Sequence, residues 1–280
     1  MVAAESLVAE MGTYPGFDGT LNPTGQVTLR FNDDGSYLVK VNMGGLEPDC
    51  AGCGVHVHVG GSCSMADAVG GHYWNEMVFE SDPWNDVGFY DTDSEGNTMN
   101  GFVIDVGASI DDHMDRTVVL HAANGTRVAC GELVDGPRSG QLIGSLSAEM
   151  GPYPGYEGDA DVEGLVEAHF YPDGSLRMDL YLAGLQPNCE KCGVHIHSGT
   201  TCDDMALVGG HYWDADEVGR AADPWVPSEG AYYTFDEDGE AARSYYLYSG
   251  FSLADNIDHA FVVHGIDGVR IGCGVLTSWW

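Results

Sequence analysis

The sequence predicts an all-β protein built as two tandem domains, each a sandwich or barrel, and three observations carry that expectation. The first is that the chain is written twice. SLVAEMGTYPGF runs from Ser6 to Phe17, and SLSAEMGPYPGY from Ser145 to Tyr156, an offset of 139. The same offset takes Cys50 to Cys189, His56 to His195 and His72 to His211, and 14 of the 25 positions in 50–74 match those in 189–213. Further along the offset grows to 143, linking His121 to His264 and Cys130 to Cys273. A period this long is a repeated domain, not a solenoid. The expected domains are residues 1–136 and 137–280, parting in the turn-rich stretch 134–140. The second observation is short alternating segments separated by glycine-rich turns, and the third is that no long segment shows a capped 3.6-residue period.

The elements follow in order. Gln26–Phe31 and Tyr37–Asn42 alternate apolar and polar residues around a turn at Asp33, Asp34 and Gly35, the pattern of a half-buried hairpin. The second copy repeats it as Leu165–Tyr171 and Leu176–Leu182 around Pro172, Asp173 and Gly174. Val55–His58, Arg116–His121 and His259–His264 read as strands, the last two as buried ones. Forty glycines fit a turn-rich chain, and 44% hydrophobic residues suffice for a core in each half.

Charge narrows the function. Ten basic and 44 acidic side chains give a net charge of −34, and Lys40 and Lys191 are the only lysines. Phosphate binding needs clustered Lys and Arg, so nucleic acid and anionic membrane surfaces are excluded as partners. No apolar run is long enough to span a membrane. Eight cysteines suit a secreted protein better than a cytosolic one. The N-terminal residues have no basic region and no apolar region, so any signal peptide is expected to have been removed. The cysteines alone carry the expectation of secretion.

Eight of the eleven histidines fall into two matching sets: His56, His58, His72 and His121, then His195, His197, His211 and His264. In a strand, residues i and i+2 point to one face, so His56 with His58, and His195 with His197, can reach one metal. His72 and His211 come from a Gly-Gly-His-Tyr-Trp loop, and His121 and His264 end a buried strand. Imidazole suits copper, zinc, iron and nickel, and four nitrogens in a plane favour Cu(II). Recurrence of all four in a heavily diverged copy points to a metal site. His113, His169 and His259 lack counterparts and read as ordinary.

These motifs resemble the copper-zinc superoxide dismutase family. Gly54-Val-His-Val-His58 resembles the strand with two copper ligands, and Gly70-Gly-His-Tyr-Trp-Asn75 the segment with the third. Arg116-Thr-Val-Val-Leu-His121 resembles the strand ending in the fourth. Gly125-Thr-Arg-Val-Ala-Cys-Gly131 resembles the segment with the active-site Arg and a disulfide Cys. The resemblance implies Greek-key β-barrels, copper as cofactor and superoxide as substrate. It implies copper ligation by the eight histidines, with His72 and His211 in the place of the ligand released on reduction to carry a proton. Arg127 and Arg270 would attract the anion.

Two departures matter. No histidine lies between Trp74 and Asp112, or between Trp213 and Asp258, where the family has further zinc ligands, so no zinc site is expected. Only six residues separate His121 from Arg127 and His264 from Arg270, so the family's long electrostatic loop is missing. Both losses resemble the copper-only branch, including its extracellular tandem-repeat members. The family's metal-linking Asp goes with that loop, and the sequence names no replacement.

By the same resemblance Cys63 pairs with Cys130 and Cys202 with Cys273. Four cysteines per domain allow three connectivities, so Cys50/Cys53 and Cys189/Cys192 could be structural clips, redox pairs or soft-metal ligands; structural disulfides are favoured. Asp91, Asp93 and Glu95 begin like a calcium loop, but Phe102 stands where its bidentate Glu belongs, so a hairpin turn is expected. Tyr73-Trp74, Asp82-Pro-Trp84 and their partners Tyr212-Trp213 and Asp223-Pro-Trp225 are expected to pack the long loop. No Ser-His-Asp arrangement, phosphate loop or dinucleotide fingerprint is legible. The expectation is a secreted, copper-dependent superoxide dismutase with one four-histidine site per domain. The alternatives are a copper-buffering protein without turnover and a zinc hydrase-type site. The oligomeric state is not legible.

Overall fold

The computed structural model describes residues 6–136, 142–218, 223–235 and 240–278. Residues 137–140 of the expected domain junction lie outside the described residues, as do Asp236, Asp238 and Gly239, which are all that the second copy keeps of the acidic Asp91–Gly96 motif. The protein is nearly all β, with two barrel-like sheets.

The first sheet contains β1 (Ser6–Thr13), β2 (Thr24–Phe31), β3 (Tyr37–Gly44), β4 (Cys53–His58), β5 (Phe89–Tyr90), β6 (Thr98–Ile104), β7 (Thr117–His121) and β8 (Arg127–Asp135). Its order is β5-β4-β7-β8-β1-β2-β3-β6. After β3 the chain crosses to β4 on the far side, then returns with β6 beside β3, a Greek-key path. The second sheet contains β9 (Gly144–Pro152), β10 (Glu163–Phe170), β11 (Leu176–Ala183), β12 (Cys192–His197), β13 (Tyr232–Tyr233), β14 (Glu240–Leu247), β15 (Ala260–His264), β16 (Arg270–Val275) and β17 (Thr277–Ser278). Its order, β13-β12-β15-β16-β9-β10-β11-β14 with β17 on β9, repeats the first.

Alternation sets the two faces of each strand. Val27 and Leu29 of β2 and Val39 and Val41 of β3 turn into the first core, with Val55, Val118 and Leu133. Val166 and Ala168, Met178 and Leu180, and Val194 and Phe261 do the same in the second. The β2–β3 hairpin closes as expected: the Asn32 N–H donates to Ser36 O at 2.8 Å, and the Asp34 carboxylate takes the Ser36 amide at 3.0 Å. Among the described residues the longest helices have four residues.

One expectation is corrected here. Ser145 Oγ lies 2.7 Å from His169 Nδ1, and His169 Nε2 lies 3.0 Å from Asp179 Oδ2, so a Ser-His-Asp row does exist. Strand register creates it: Ser145 pairs with His169, and Asp179 pairs with Glu167, two residues along β10 on the same face. Cross-strand neighbours 24 and 10 residues apart have no spacing signature. The row is not a nucleophilic site. Asp179 is shared with Arg177 Nε and the Ser244 hydroxyl, and Ser145 lies inside β9, which pairs with both β10 and β17, a position without the exposed strand-to-helix turn of a nucleophile.

Candidate metal centres

The two histidine sets converge. His56, His58, His72 and His121 present ring nitrogens all within 4.8 Å of one another, and so do His195, His197, His211 and His264. The fold explains how. His56 and His58 project from β4, which pairs with β7 so that Val55 faces Leu120. A register shift at the end of β7 then turns His121 toward them. His72 joins through an isolated bridge to His58. The second set is assembled alike from β12, β15 and the His197–His211 bridge. Gly54 and Gly193 make room: a Cβ at Gly54 would stand 2.7 Å from the His56 ring, and one at Gly193 2.5 Å from the His195 ring.

The other ring nitrogens fix the tautomers. His58 Nδ1–H donates to Gly70 O at 3.0 Å, and His121 Nδ1–H to Gly125 O at 3.0 Å. His197 and His264 repeat this with Gly209 O at 3.1 Å and Gly268 O at 2.9 Å. Nitrogens of these rings are left buried and unpartnered: His56 Nδ1, His58 Nε2 and His121 Nε2, then both nitrogens of His195 with His197 Nε2 and His264 Nε2. Buried polar atoms without partners are rare. Several lone pairs aimed at one point are what a metal ion would satisfy, so the residues fit a four-nitrogen metal site.

Electrostatics agree. Burial, then the neighbouring imidazoles, push His56 down to about 2. Burial lowers His58 and His197 to about 3 despite the hydrogen bonds from their rings to backbone carbonyls. Burial also lowers His121, His195 and His264. Neutral imidazole is the form that ligates.

Sequence reasoning missed four partners, two in each half. The Asp82 carboxylate accepts from His72 Nδ1 at 2.6 Å, and Asp223 from His211 Nδ1 at 2.5 Å. Burial raises Asp223, but the bonds from His211 and the Trp225 amide outweigh it and hold the carboxyl below its ordinary range. The loop packing expected of these segments is also present. Trp84 and Trp225 are fully buried, their indole N–H groups donating to Tyr73 O at 2.9 Å and Tyr212 O at 2.7 Å. The only available signal was the recurrence of Asp-Pro-Trp after each loop histidine. The other two partners are Tyr14 and its match Tyr153. Arg127 donates to the Tyr14 hydroxyl at 3.0 Å and to Gly70 O at 2.7 Å; Arg270 donates to the Tyr153 hydroxyl at 3.0 Å and to Gly209 O at 2.8 Å. Each arginine thus shares a carbonyl oxygen with a ligand-set histidine.

The structure pairs Cys63 with Cys130, Cys202 with Cys273, Cys50 with Cys53 and Cys189 with Cys192. Glu47 lies beside Cys50 and Cys53, but the disulfide leaves that group no thiolate to offer. Asp93 forms a turn, its carboxylate accepting the amides of Glu95 and Asn97 at 2.8 Å each. A cleft of about 500 Å³ opens beside the second cluster, lined by Glu190, Lys191, His195, His264 and Asp267.

No protein-family model matches the chain, and no curated protein matches it. Solved structures do. Superoxide dismutase 5 of Candida albicans in a Cu(II) form aligns at 16% identity over 49% of this chain and 93% of its own, with a TM-score of 0.37. A point mutant of the same protein aligns at 18% identity over 49% and 93%, with a TM-score of 0.36. The clock protein EA4 aligns at 22% identity over 48% and 97%, with a TM-score of 0.37.

Proposed function

We propose that the protein is a copper-dependent superoxide dismutase of the copper-only type, with one four-histidine copper site in each of two domains, residues 1–136 and 137–280, acting outside the cell. The observation that carries this reading is the convergence of four imidazoles beside an arginine, built the same way twice. Copper bound there would supply the one-electron exchange that dismutation of superoxide to dioxygen and hydrogen peroxide requires. The remaining work falls to side chains. His58 and His121 are held as Nδ1–H tautomers by backbone carbonyls, so their Nε2 atoms are free to ligate. His72 and His211 are oriented instead by Asp82 and Asp223. With copper bound, their Nε2 atoms would be the ones placed to take up a proton, since the carboxylate at Nδ1 would offset the charge of an imidazolium. The two acids thereby stand in for the missing zinc site. Arg127 and Arg270, anchored on the same carbonyls as His58 and His197, supply positive charge where an anion would approach.

The test loads copper and measures superoxide dismutation by wild type, by His121→Ala with His264→Ala, and by Arg127→Ala with Arg270→Ala. The histidine pair is expected to lose copper and activity together. The arginine pair is expected to keep the Cu(II) spectrum and lose rate. Activity indifferent to the histidine changes sinks the site; tight copper without turnover in wild type makes the protein a copper buffer.

A further inference from the structure

The first unit holds a buried phenol–imidazole pair that the proposed dismutation does not use. Tyr37, at the start of β3, and His113, in the short helix Ile110–His113, are both fully buried. The Tyr37 hydroxyl lies 3.1 Å from His113 Nε2, and His113 Nδ1 lies 2.7 Å from Ser109 O. A carbonyl only accepts, so His113 carries its proton on Nδ1, and Nε2 must accept from the phenol. Burial, then Asp105 and Tyr73, push Tyr37 well above its ordinary range; burial and Arg116 bring His113 down to about 4, against the opposing effects of the Ser109 carbonyl and Asp112. Both groups therefore rest neutral, with the proton on oxygen.

The pair is wired toward the first cluster. The Tyr37 ring lies 6.4 Å from the Trp84 ring, and Trp84 lies 5.9 Å from the ring of His56, edge to face. Tyrosine and tryptophan are the side chains most readily oxidised by one electron without loss of an atom other than hydrogen. The second unit is a natural control. Repeat spacing puts Leu176 in the place of Tyr37 and Asn256 in the place of His113. Asn256 Nδ2 donates to Ser252 O at 2.7 Å, reproducing the bond from His113 to Ser109. The contact that ties the short helix is thus kept in both units, whereas the phenol–imidazole bond exists only in the first. Building the domain does not require it.

We propose that Tyr37 and His113 form a proton-coupled one-electron donor that serves the first histidine cluster through Trp84. The role at copper rests on the function proposed above. The oxidant is hydrogen peroxide, the product of that reaction. It takes one electron from Cu(I) and one from Tyr37, and with two solvent protons it leaves as two waters. The phenolic O–H bond breaks as an N–H bond forms at His113 Nε2, giving a neutral tyrosyl radical beside an imidazolium. An oxidised phenol is a strong acid, so even a weakly basic imidazole accepts the proton. A small-molecule reductant of the ascorbate or thiol class then returns an electron, and the proton goes back to oxygen. The pair would protect the metal ligands, which otherwise stand nearest the oxidising equivalent.

The experiment mixes copper-loaded, pre-reduced protein with hydrogen peroxide, freezes it, and reads organic radicals by electron paramagnetic resonance, with Cu(II) loading recorded beforehand. Wild type is expected to give a tyrosyl signal. Tyr37→Phe is expected to lose it, and so is His113→Asn, which keeps the helix contact as Asn256 does. Both variants are expected to retain wild-type copper loading and a cooperative unfolding transition, with a midpoint lowered by the buried group each leaves unpartnered. No organic radical in copper-loaded, dismutating wild type overturns the donor and leaves the dismutase standing; so does a signal undiminished in either variant. If copper does not bind, the dismutase reading fails instead. The pair is then judged on metal-free protein oxidised by flash-generated ruthenium(III) polypyridyl, where loss of the radical in both variants upholds a proton-coupled donor and an unchanged radical overturns it.

Discussion

At the scale of single residues, the converging histidines were legible because strand geometry converts His-x-His into two side chains on one face. Their orienting partners were not. Asp82 and Asp223 lie 10 and 12 residues beyond His72 and His211, across a loop whose path no periodicity reveals. Partners of this kind commonly contribute about 10–100-fold in metal affinity. Asp82→Asn with Asp223→Asn is therefore expected to weaken Cu(II) binding by about that factor, while Asn still accepts the Nδ1–H bond. Competition against a chelator of known affinity measures it; unchanged affinity would assign the acids to loop packing alone. Gly54→Ala with Gly193→Ala is the complementary test, because each new methyl meets a ligand ring. Overpacking of this sort typically costs about 1–3 kcal/mol. Metal loading and unfolding midpoint should both fall.

At the scale of elements, the hairpins and buried strands follow the alternation expected of them. β2 reaches back to Thr24 and β3 runs on to Gly44, beyond Gln26 and Asn42, because the ladder persists through glycines that carry no hydrophobic signal. The Ser145–His169–Asp179 row escaped the sequence for a related reason: pairing register places residues that spacing does not. The cross-links separate by loop length. Cys63–Cys130 and Cys202–Cys273 close separations of 67 and 71 residues, whereas the Cys-x-x-Cys bonds close 3. Loop-closure entropy predicts a loss of about 4 kcal/mol on removing a long bridge and about 2 kcal/mol for a short one. Denaturant unfolding of Cys63→Ser with Cys130→Ser against Cys50→Ser with Cys53→Ser would show the ranking, and a larger loss for the short bridge would contradict it.

At the scale of the whole molecule, a net charge of −34 opposes an anionic substrate. Screening contracts the field to about 8 Å at physiological salt, a range within which Arg127 and Arg270 act on their own clusters. The catalytic rate is therefore expected to rise, or hold, as salt is added; a steep fall would indicate long-range attraction that this composition does not supply. Acid stability follows from the buried imidazoles. His113 is held near 4, and His58 and His197 near 3, against an ordinary 6.5. Below pH 6.5 the unfolded chain binds protons that the native one refuses, so stability is complete above that pH and is lost as pH falls toward 4 and 3. Urea titrations of metal-free protein between pH 7 and 4.5 should show a declining midpoint; a flat profile would mean these rings are not neutral. The tautomer-setting carbonyls carry a genetic consequence. A missense change can delete a carboxylate but not a main-chain oxygen, so saturation mutagenesis should find Asp82 and Asp223 intolerant of nearly every replacement. The glycines that supply the accepting carbonyls, Gly70, Gly125, Gly209 and Gly268, are all at positive φ. Gly125 and Gly268 have open space where a Cβ would stand and should accept Asn better than any β-branched residue, whereas a Cβ would stand 2.5 Å from the Val59 side chain at Gly70 and 2.3 Å from Ser198 Oγ at Gly209. The fragility of the orienting apparatus is thereby concentrated in the two acids and the two crowded glycines, Gly70 and Gly209.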